Sequence, residues 1–157
     1  MRIQPCTLLF LRRDDEILLA MKKRGLGQGR WNGVGGKIEP GETVEQATIR
    51  ECQEEIEVTP TQFHQVARLD FLMDSNTEPW HMDGHVFVAN EWQGTPTETD
   101  EMAPEWFKLA DIPYDQMWED DTLWLPQVLA GQLISASFSF DSTEKMIDHQ
   151  VNTVDRW

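Results

Sequence analysis

Gly36-Lys37-Ile38-Glu39-Pro40-Gly41-Glu42, followed by Arg50-Glu51-Cys52-Gln53-Glu54-Glu55 and closing on Val58, is the stretch that decides how this chain folds. Pro40-Gly41 makes a turn. Thr43 with Gln46 three residues on is a capping-box pattern, so a helix starts there and runs to about Ile56, with Ile49, Cys52 and Ile56 on its apolar side. Glu51, Glu54 and Glu55 stand at i, i+3 and i+4 and therefore share a face. Three like charges there repel one another. Water tolerates such a face, and a hard cation that prefers oxygen ligands makes it favourable; Mg²⁺ is the usual partner where phosphate supplies further ligands. Arg50 is placed to orient one carboxylate through a bidentate pair. On this spacing alone a solvated acidic face is the commoner outcome.

Two phosphate-binding loops claim the same glycines, and both fail. A P-loop ending at Gly36-Lys37 needs glycine where Trp31 stands and a hydroxyl residue where Ile38 stands. A dinucleotide fingerprint begun at Gly25 ends on Arg30, and one begun at Gly33 ends on Ile38.

Upstream, residues 7–11 and 17–21 are β-prone runs separated by Arg13-Asp14-Asp15-Glu16, which predicts two strands and a turn. Seven glycines between Arg24 and Glu42 predict a loop, interrupted by one short strand near residues 31–34. Downstream, strands are expected over 63–73, 85–89, 106–109 and 134–140, and a second helix over 122–129 capped by Asp120 or Asp121. Strands mixed with two helices, without regular βαβ alternation, point to an α+β layered domain spanning residues 1–157.

The bulk properties fit that picture. A chain of 157 residues with 39% hydrophobic content, seven Trp and seven Phe supports one real core. The first apolar run, residues 6–11, is too short to span a bilayer and is followed by Arg12 and Arg13, so neither a membrane anchor nor a signal peptide is expected. Cys6 and Cys52 form no CxxC pair, which argues against a disulfide framework and for a cytoplasmic setting. A net charge of −15 disfavours direct nucleic-acid binding, which rests on neutralising phosphates with Lys and Arg.

The full span, Gly36, Glu42 after five residues and Arg50-Glu51-x-x-Glu54-Glu55 after seven more, resembles the signature box of the Nudix hydrolases. It departs from the box at Glu57, where glycine is usual, and at Cys52, which fills an apolar position. Glu resists the left-handed conformation glycine accepts, so the helix end is expected to change. The likeness continues through Met21-Lys22-Lys23-Arg24-Gly25, Gly29-Arg30-Trp31-Asn32-Gly33, Met82-Asp83, Gly94-Thr95-Pro96, Asp100-Glu101-Met102 and Met117-Trp118 with Asp120-Asp121. These segments are similar to MutT-type members that act on oxidised purine nucleoside triphosphates.

The resemblance implies an α/β/α sandwich with a mixed central sheet and two main helices. It implies Mg²⁺, with Mn²⁺ as a substitute, held by the Gly36 carbonyl, Glu51, Glu54, Glu55 and Glu101. It implies a monomeric enzyme that splits 8-oxo-dGTP and 2-hydroxy-dATP into nucleoside monophosphate and pyrophosphate, sanitising the nucleotide pool. Hydrolysis of a phosphoanhydride needs an activated water and a sink for negative charge, so Glu54 or Glu55 is the candidate base, with Arg50 and Glu51 beside them.

Lys22 can meet a phosphate, although a surface lysine is the commoner fate. Asn32 offers a donor and an acceptor, and Asp120 with Asp121 can hold one proton between them, which together can read a purine edge. Trp118 is the candidate stacking partner; Thr7, Phe71, Met73, Met82 and Phe140 are candidate walls. The competing structural reading makes Asp120 or Asp121 a plain helix cap and Trp118 plain core. Leu26 and Met73 stand where aromatic residues are expected, which bears on substrate range. Two other functions compete: a Nudix pyrophosphohydrolase of ADP-ribose or unmodified nucleotides, and a non-catalytic nucleotide-binding module, which the retained glutamates disfavour.

Overall fold

The computed structural model describes residues 3–74 and 80–157. Strands β1 (Ile3–Arg13) and β2 (Glu16–Lys22) pair across a turn in which Asp14 takes φ 49°. The glycine-rich segment carries two short strands, β3 (Trp31–Asn32) and β4 (Val34–Lys37), in place of the single one expected. Helix α1 (Val44–Ile56) follows, then β5 (Thr59–Met73), β6 (Trp80–Gln93), β7 (Met102–Lys108), helix α2 (Asp121–Leu129), β8 (Leu133–Phe140) and β9 (Met146–Val154). The strands form one sheet in the order β3-β2-β1-β6-β5-β8-β9, with β4 also on β1 and β7 also on β2. Pairs β1–β6 and β5–β8 are parallel and the others antiparallel, so the sheet is mixed and the class is α+β, as the sequence predicts.

Strand β1 shows why the sheet is covered on both faces. Its side chains alternate: Leu9 and Leu11 enter one core with Val34, Cys52 and Ile56, while Phe10 enters another with Trp124, Leu125 and Phe138. Helix α1 therefore packs on one face of the sheet and α2 on the other. Ala47, Cys52 and Ile56 are the buried apolar residues of α1, whereas Ile49 is only half-buried.

The start of α1 is the expected capping box: Thr43 Oγ1 accepts from the Gln46 N–H at 3.1 Å, and the Gln46 side chain accepts from the Thr43 N–H at 2.9 Å. Its end corrects an expectation. Glu57 adopts the left-handed conformation (φ 60°, ψ 35°) and its N–H still bonds to the Gln53 carbonyl, so the helix stops as a glycine would stop it, at a local conformational cost.

Helix α2 corrects another. Asp120 stands at the cap position without a capping hydrogen bond from its side chain, and Asp121 is the first helical residue and buried. Strand β9 and two 3₁₀ turns, Leu109–Asp111 and Tyr114–Gln116, were not expected at all. Among the described residues no helix is long and apolar enough to cross a membrane.

Candidate active site

Three contacts fix α1 against β4. The Gly35 N–H donates to Glu55 Oε1 at 2.7 Å, the Lys37 carbonyl accepts from Arg50 Nη2 at 3.1 Å, and the Glu51 carboxyl lies 2.7 Å from where a Cβ on Gly36 would be. Gly36 is thus the cradle into which Glu51 fits. β4 sits there because it pairs with β1 at Thr7–Gly36 and Leu8–Gly35, where a Cβ on Gly35 would fall 1.8 Å from the Thr7 carbonyl oxygen.

Arg50 organises the acidic face. It binds Glu42 bidentately (Nε–Oε2 2.6 Å, Nη2–Oε1 3.0 Å), and its Nη1 reaches Glu51 at 2.9 Å and Glu54 at 3.2 Å. Its hydrogen bonds pull the Glu42 carboxyl down to about 2. The three helix glutamates share a face but not an environment. Glu55 is 4% exposed, the Glu51 side chain is 16% exposed and that of Glu54 is 58% exposed. Burial pushes Glu55 up to about 7; the Gly35 N–H and Lys22 oppose that shift, while Glu51 and Glu101 add to it. Burial also raises Glu51, against the pull of Arg50. Glu101 is paired with Arg24, which lowers its pKa.

These groups suit a hard divalent cation by their chemistry: the donors are oxygens, Glu54 raises the proton affinity of Glu51 and Glu51 that of Glu55, and a glycine makes the room. Among the described residues, no three acidic, His or Cys side chains already converge as a ligand set. The carboxylates are turned instead onto Arg50, Arg24 and the Gly35 N–H, which is where like charges go when those donors are at hand.

Beside this face opens a cleft. Lys22, Gly36 and Thr7 line it together with Asn32, Phe71, Met73, Met82, Trp118, Asp120, Asp121 and Phe140, so the candidate phosphate-side and base-side residues meet in one place. Arg50, Glu51, Glu54, Glu55 and Glu101 flank the cleft without lining it. Thr7 Oγ1 is 2.7 Å from Thr48 Oγ1, and Thr48 donates onward to the Val44 carbonyl, so the Thr7 proton is spent between β1 and α1. Asn32 accepts the Gly33 N–H at 2.8 Å through Oδ1, which leaves its amide NH₂ as a donor.

Asp120 and Asp121 are each 2% exposed. Trp124 donates its indole N–H to Asp120 at 2.9 Å, whereas Asp121 Oδ2 has no hydrogen-bond partner. Burial raises Asp120 to about 6; burial, then the charge of Asp120, raises Asp121 well above the ordinary carboxylate range. The pair therefore holds a proton near neutral pH and offers one acceptor and one donor.

The cleft contains residues that sequence reasoning did not place there. Gly27 stands at Trp118, next to the Leu26 already expected to bear on substrate range, and is required: it has φ 83°, and a Cβ would lie 3.0 Å from the Trp118 Nε1. Cys6 lines the cleft with its thiol pushed up to about 12, by burial first and then by Asp83, so it is an inert wall. Alternation along β1 with Leu8 and Phe10 was the available signal for Cys6.

Comparison with known proteins gives the family and the fold. The NUDIX domain family matches residues 2–128. The chain is 41% identical over 149 residues to the oxidized purine nucleoside triphosphate hydrolase of Danio rerio and 39% identical to that of Mus musculus, in each case over 95% of this chain and 94% of the relative. The crystal structure of a MutT protein from Bacillus halodurans superposes with a TM-score of 0.81 over 95% of this chain and 97% of that one; at 21% identity this shows the fold alone.

Proposed function

Since this chain belongs to the Nudix family, we propose that it is a Mg²⁺-dependent pyrophosphohydrolase of oxidised purine nucleoside triphosphates, 8-oxo-dGTP and 2-hydroxy-dATP, releasing the nucleoside monophosphate and pyrophosphate. The observation that carries the substrate is the Asp120–Asp121 pair, two buried carboxyls with raised proton affinity beside Asn32 and Trp118 in the cleft. A carboxyl that keeps its proton donates where an ionised one accepts, so moving one proton between the two lets a single pocket match both oxidised patterns. Trp118 stacks on the purine, while Phe71, Met73, Met82 and Phe140 wall the pocket.

At the other end Glu51, Glu54, Glu55, Glu101 and the Gly36 carbonyl would hold the divalent ion. Nudix hydrolases use divalent metals, and an ion bound here supplies positive charge for the anhydride oxygens and helps activate the attacking water. Lys22 meets a phosphate. Glu54 or Glu55 takes the proton: Glu55 is buried and accepts the Gly35 N–H, whereas Glu54 is exposed and held by Arg50. Arg50, locked by Glu42, is a positioning residue that keeps Glu51 and Glu54 in place. We take the chain to act as a monomeric cytoplasmic domain over residues 1–157 that clears mispairing nucleotides and does not engage nucleic acid, a reading supported by its net charge of −15.

Pyrophosphate release with Mg²⁺ from 8-oxo-dGTP, 2-hydroxy-dATP, dGTP, dATP and ADP-ribose, compared for the wild type, Glu55→Gln and Asp120→Asn, tests this. The expected result is preference for the oxidised purines, loss of that preference in Asp120→Asn, and loss of all turnover in Glu55→Gln. Flat rates, or preference for ADP-ribose, would remove the substrate assignment, and no turnover on any of them would favour a nucleotide-binding module.

A further inference from the structure

We propose that Arg30, clamped by Glu144, is the positioning residue that holds Trp118 for base stacking and thereby sets affinity for the purine. The Arg30 guanidinium carbon lies 4.1 Å from the centroid of the Trp118 ring. Trp118 lines the cleft and Arg30 does not, so the cation lies over the indole from outside the cleft lining. The Phe140 ring meets Trp118 edge-on, at 5.5 Å and 75°. The indole is thus fixed on its back and its edge.

Arg30 is itself held through its backbone and its side chain. Its N–H donates to the Gly27 carbonyl at 3.0 Å and its carbonyl accepts from the Lys22 N–H at 3.1 Å. Nη1 donates to Glu144 Oε2 at 3.0 Å, 114 residues away in sequence. Glu144 sits in the β8–β9 turn with φ 66°, a conformation that costs a non-glycine residue and needs support. The turn supplies it: Asp141 Oδ1 accepts from the Thr143 N–H, the Thr143 hydroxyl and the Lys145 N–H, and the Asp141 carbonyl accepts from the Glu144 N–H. A second tie runs back from β9, where the Met146 N–H donates to Glu119 Oε1 at 3.1 Å, next to Trp118. The β8–β9 turn therefore reaches Trp118 twice, through Arg30 and through Glu119.

A cation on the far face does two things for a stacking indole. It locks the ring angle, so less rotamer freedom is lost when a base arrives. It also draws π density toward itself, and oxidised purines, being electron-rich, stack on the opposite face of such a ring as donors. This deepens the oxidised-purine reading above and rests on it for the identity of the base.

Steady-state kinetics on 8-oxo-dGTP and dGTP, with thermal melts as a folding control, test the clamp. Arg30→Met is expected to raise KM for 8-oxo-dGTP about three- to tenfold with kcat nearly unchanged, the range a partly desolvated cation–π contact supports. Arg30→Lys keeps charge without the flat face and falls between wild type and Arg30→Met. Glu144→Gln moves KM in the same direction, and carries the test if Arg30→Met does not fold. In a Trp118→Leu background Arg30→Met adds nothing further to KM. An unchanged KM, a matching fall in kcat, or an equal effect in the Trp118→Leu background would overturn the proposal. Equal KM and kcat of the wild type on 8-oxo-dGTP and dGTP would end the oxidised-purine assignment instead, and the Arg30 effect would then be read on both substrates.

Discussion

Trp124 reaches across one turn of α2 and donates its indole N–H to Asp120 at 2.9 Å, with both side chains buried. That bond lowers the proton affinity of Asp120 against the burial that raises it, while burial and then the charge of Asp120 raise Asp121, whose Oδ2 has no partner within the protein. The pocket is polarised before any ligand enters it. Stability is spent to keep it so, because each of these carboxyls would rather be in water.

Asp121→Asn should therefore stabilise the protein at neutral pH. Both carboxyls bind protons more tightly folded than unfolded; below the ordinary value of 3.8 neither state is ionised and the pair contributes nothing. As pH rises, the unfolded chain ionises first, so stability falls, and for Asp120 the fall ends near pH 6. Urea melts at pH 4 and pH 7.5 are expected to show Asp121→Asn gaining about 1–3 kcal/mol over wild type at the higher pH and much less at the lower. An equal gain at both would contradict the raised proton affinity.

Adjacent glycines should respond in opposite ways. Gly35→Ala drives a methyl into the Thr7 carbonyl of the paired strand, which cannot move, and is expected to cost about 3 kcal/mol or more in melts. Gly36→Ala first meets the Glu51 carboxyl, the end of a flexible side chain. It is expected to fold and to lose Mg²⁺ affinity and turnover about 10- to 100-fold, measured by metal titration of the rate.

Glu57→Gly should stabilise the end of α1. Relief of the left-handed conformation is offset by the added flexibility of glycine when unfolded, so the expected gain is about 0.5–1 kcal/mol with unchanged kinetics. A loss of stability would mean that the Glu57 side chain contributes more than its backbone costs.

Removing the metal should stop turnover, and restoring it should raise Tm through linkage. Glu55→Gln replaces a buried carboxylate with a neutral group that still accepts the Gly35 N–H. In chelator it is expected to melt above wild type, while adding Mg²⁺ raises its Tm less than that of wild type and turnover falls about 10²- to 10⁴-fold. A full Mg²⁺ response with normal turnover would exclude Glu55 from both roles.

Local signals were legible wherever the chain states its own structure. Thr43 and Gln46 announce α1, and alternation announces β8. The spacing of Arg50, Glu51, Glu54 and Glu55 fixes what α1 presents. What was not legible depends on distant partners. β9 sets Met146, Ile147, Val151 and Val154 among polar residues without strict alternation and is a strand because β8 offers it an edge, so no period in its own residues reveals it. Asp120 looks like a helix cap from sequence because capping is local, and only the fold shows that its carboxylate is turned to Trp124. Glu54 and Glu55 are equivalent by spacing; burial separates them, and burial belongs to the whole sheet.

The two-sidedness of β1 reaches beyond packing. Its Leu9 and Leu11 root the helix that carries the glutamates, and its Phe10 roots the helix that carries the aspartates, in cores on opposite faces of the sheet that draw alternate residues from β1, β2 and β6. Substitutions that far apart without common partners add independently. Divergence on the Phe10 side, where Leu26 and Met73 already replace expected aromatics, can retune which nucleotide is accepted while bond cleavage is inherited intact. A lineage built on this sheet can explore new substrates without relearning the reaction.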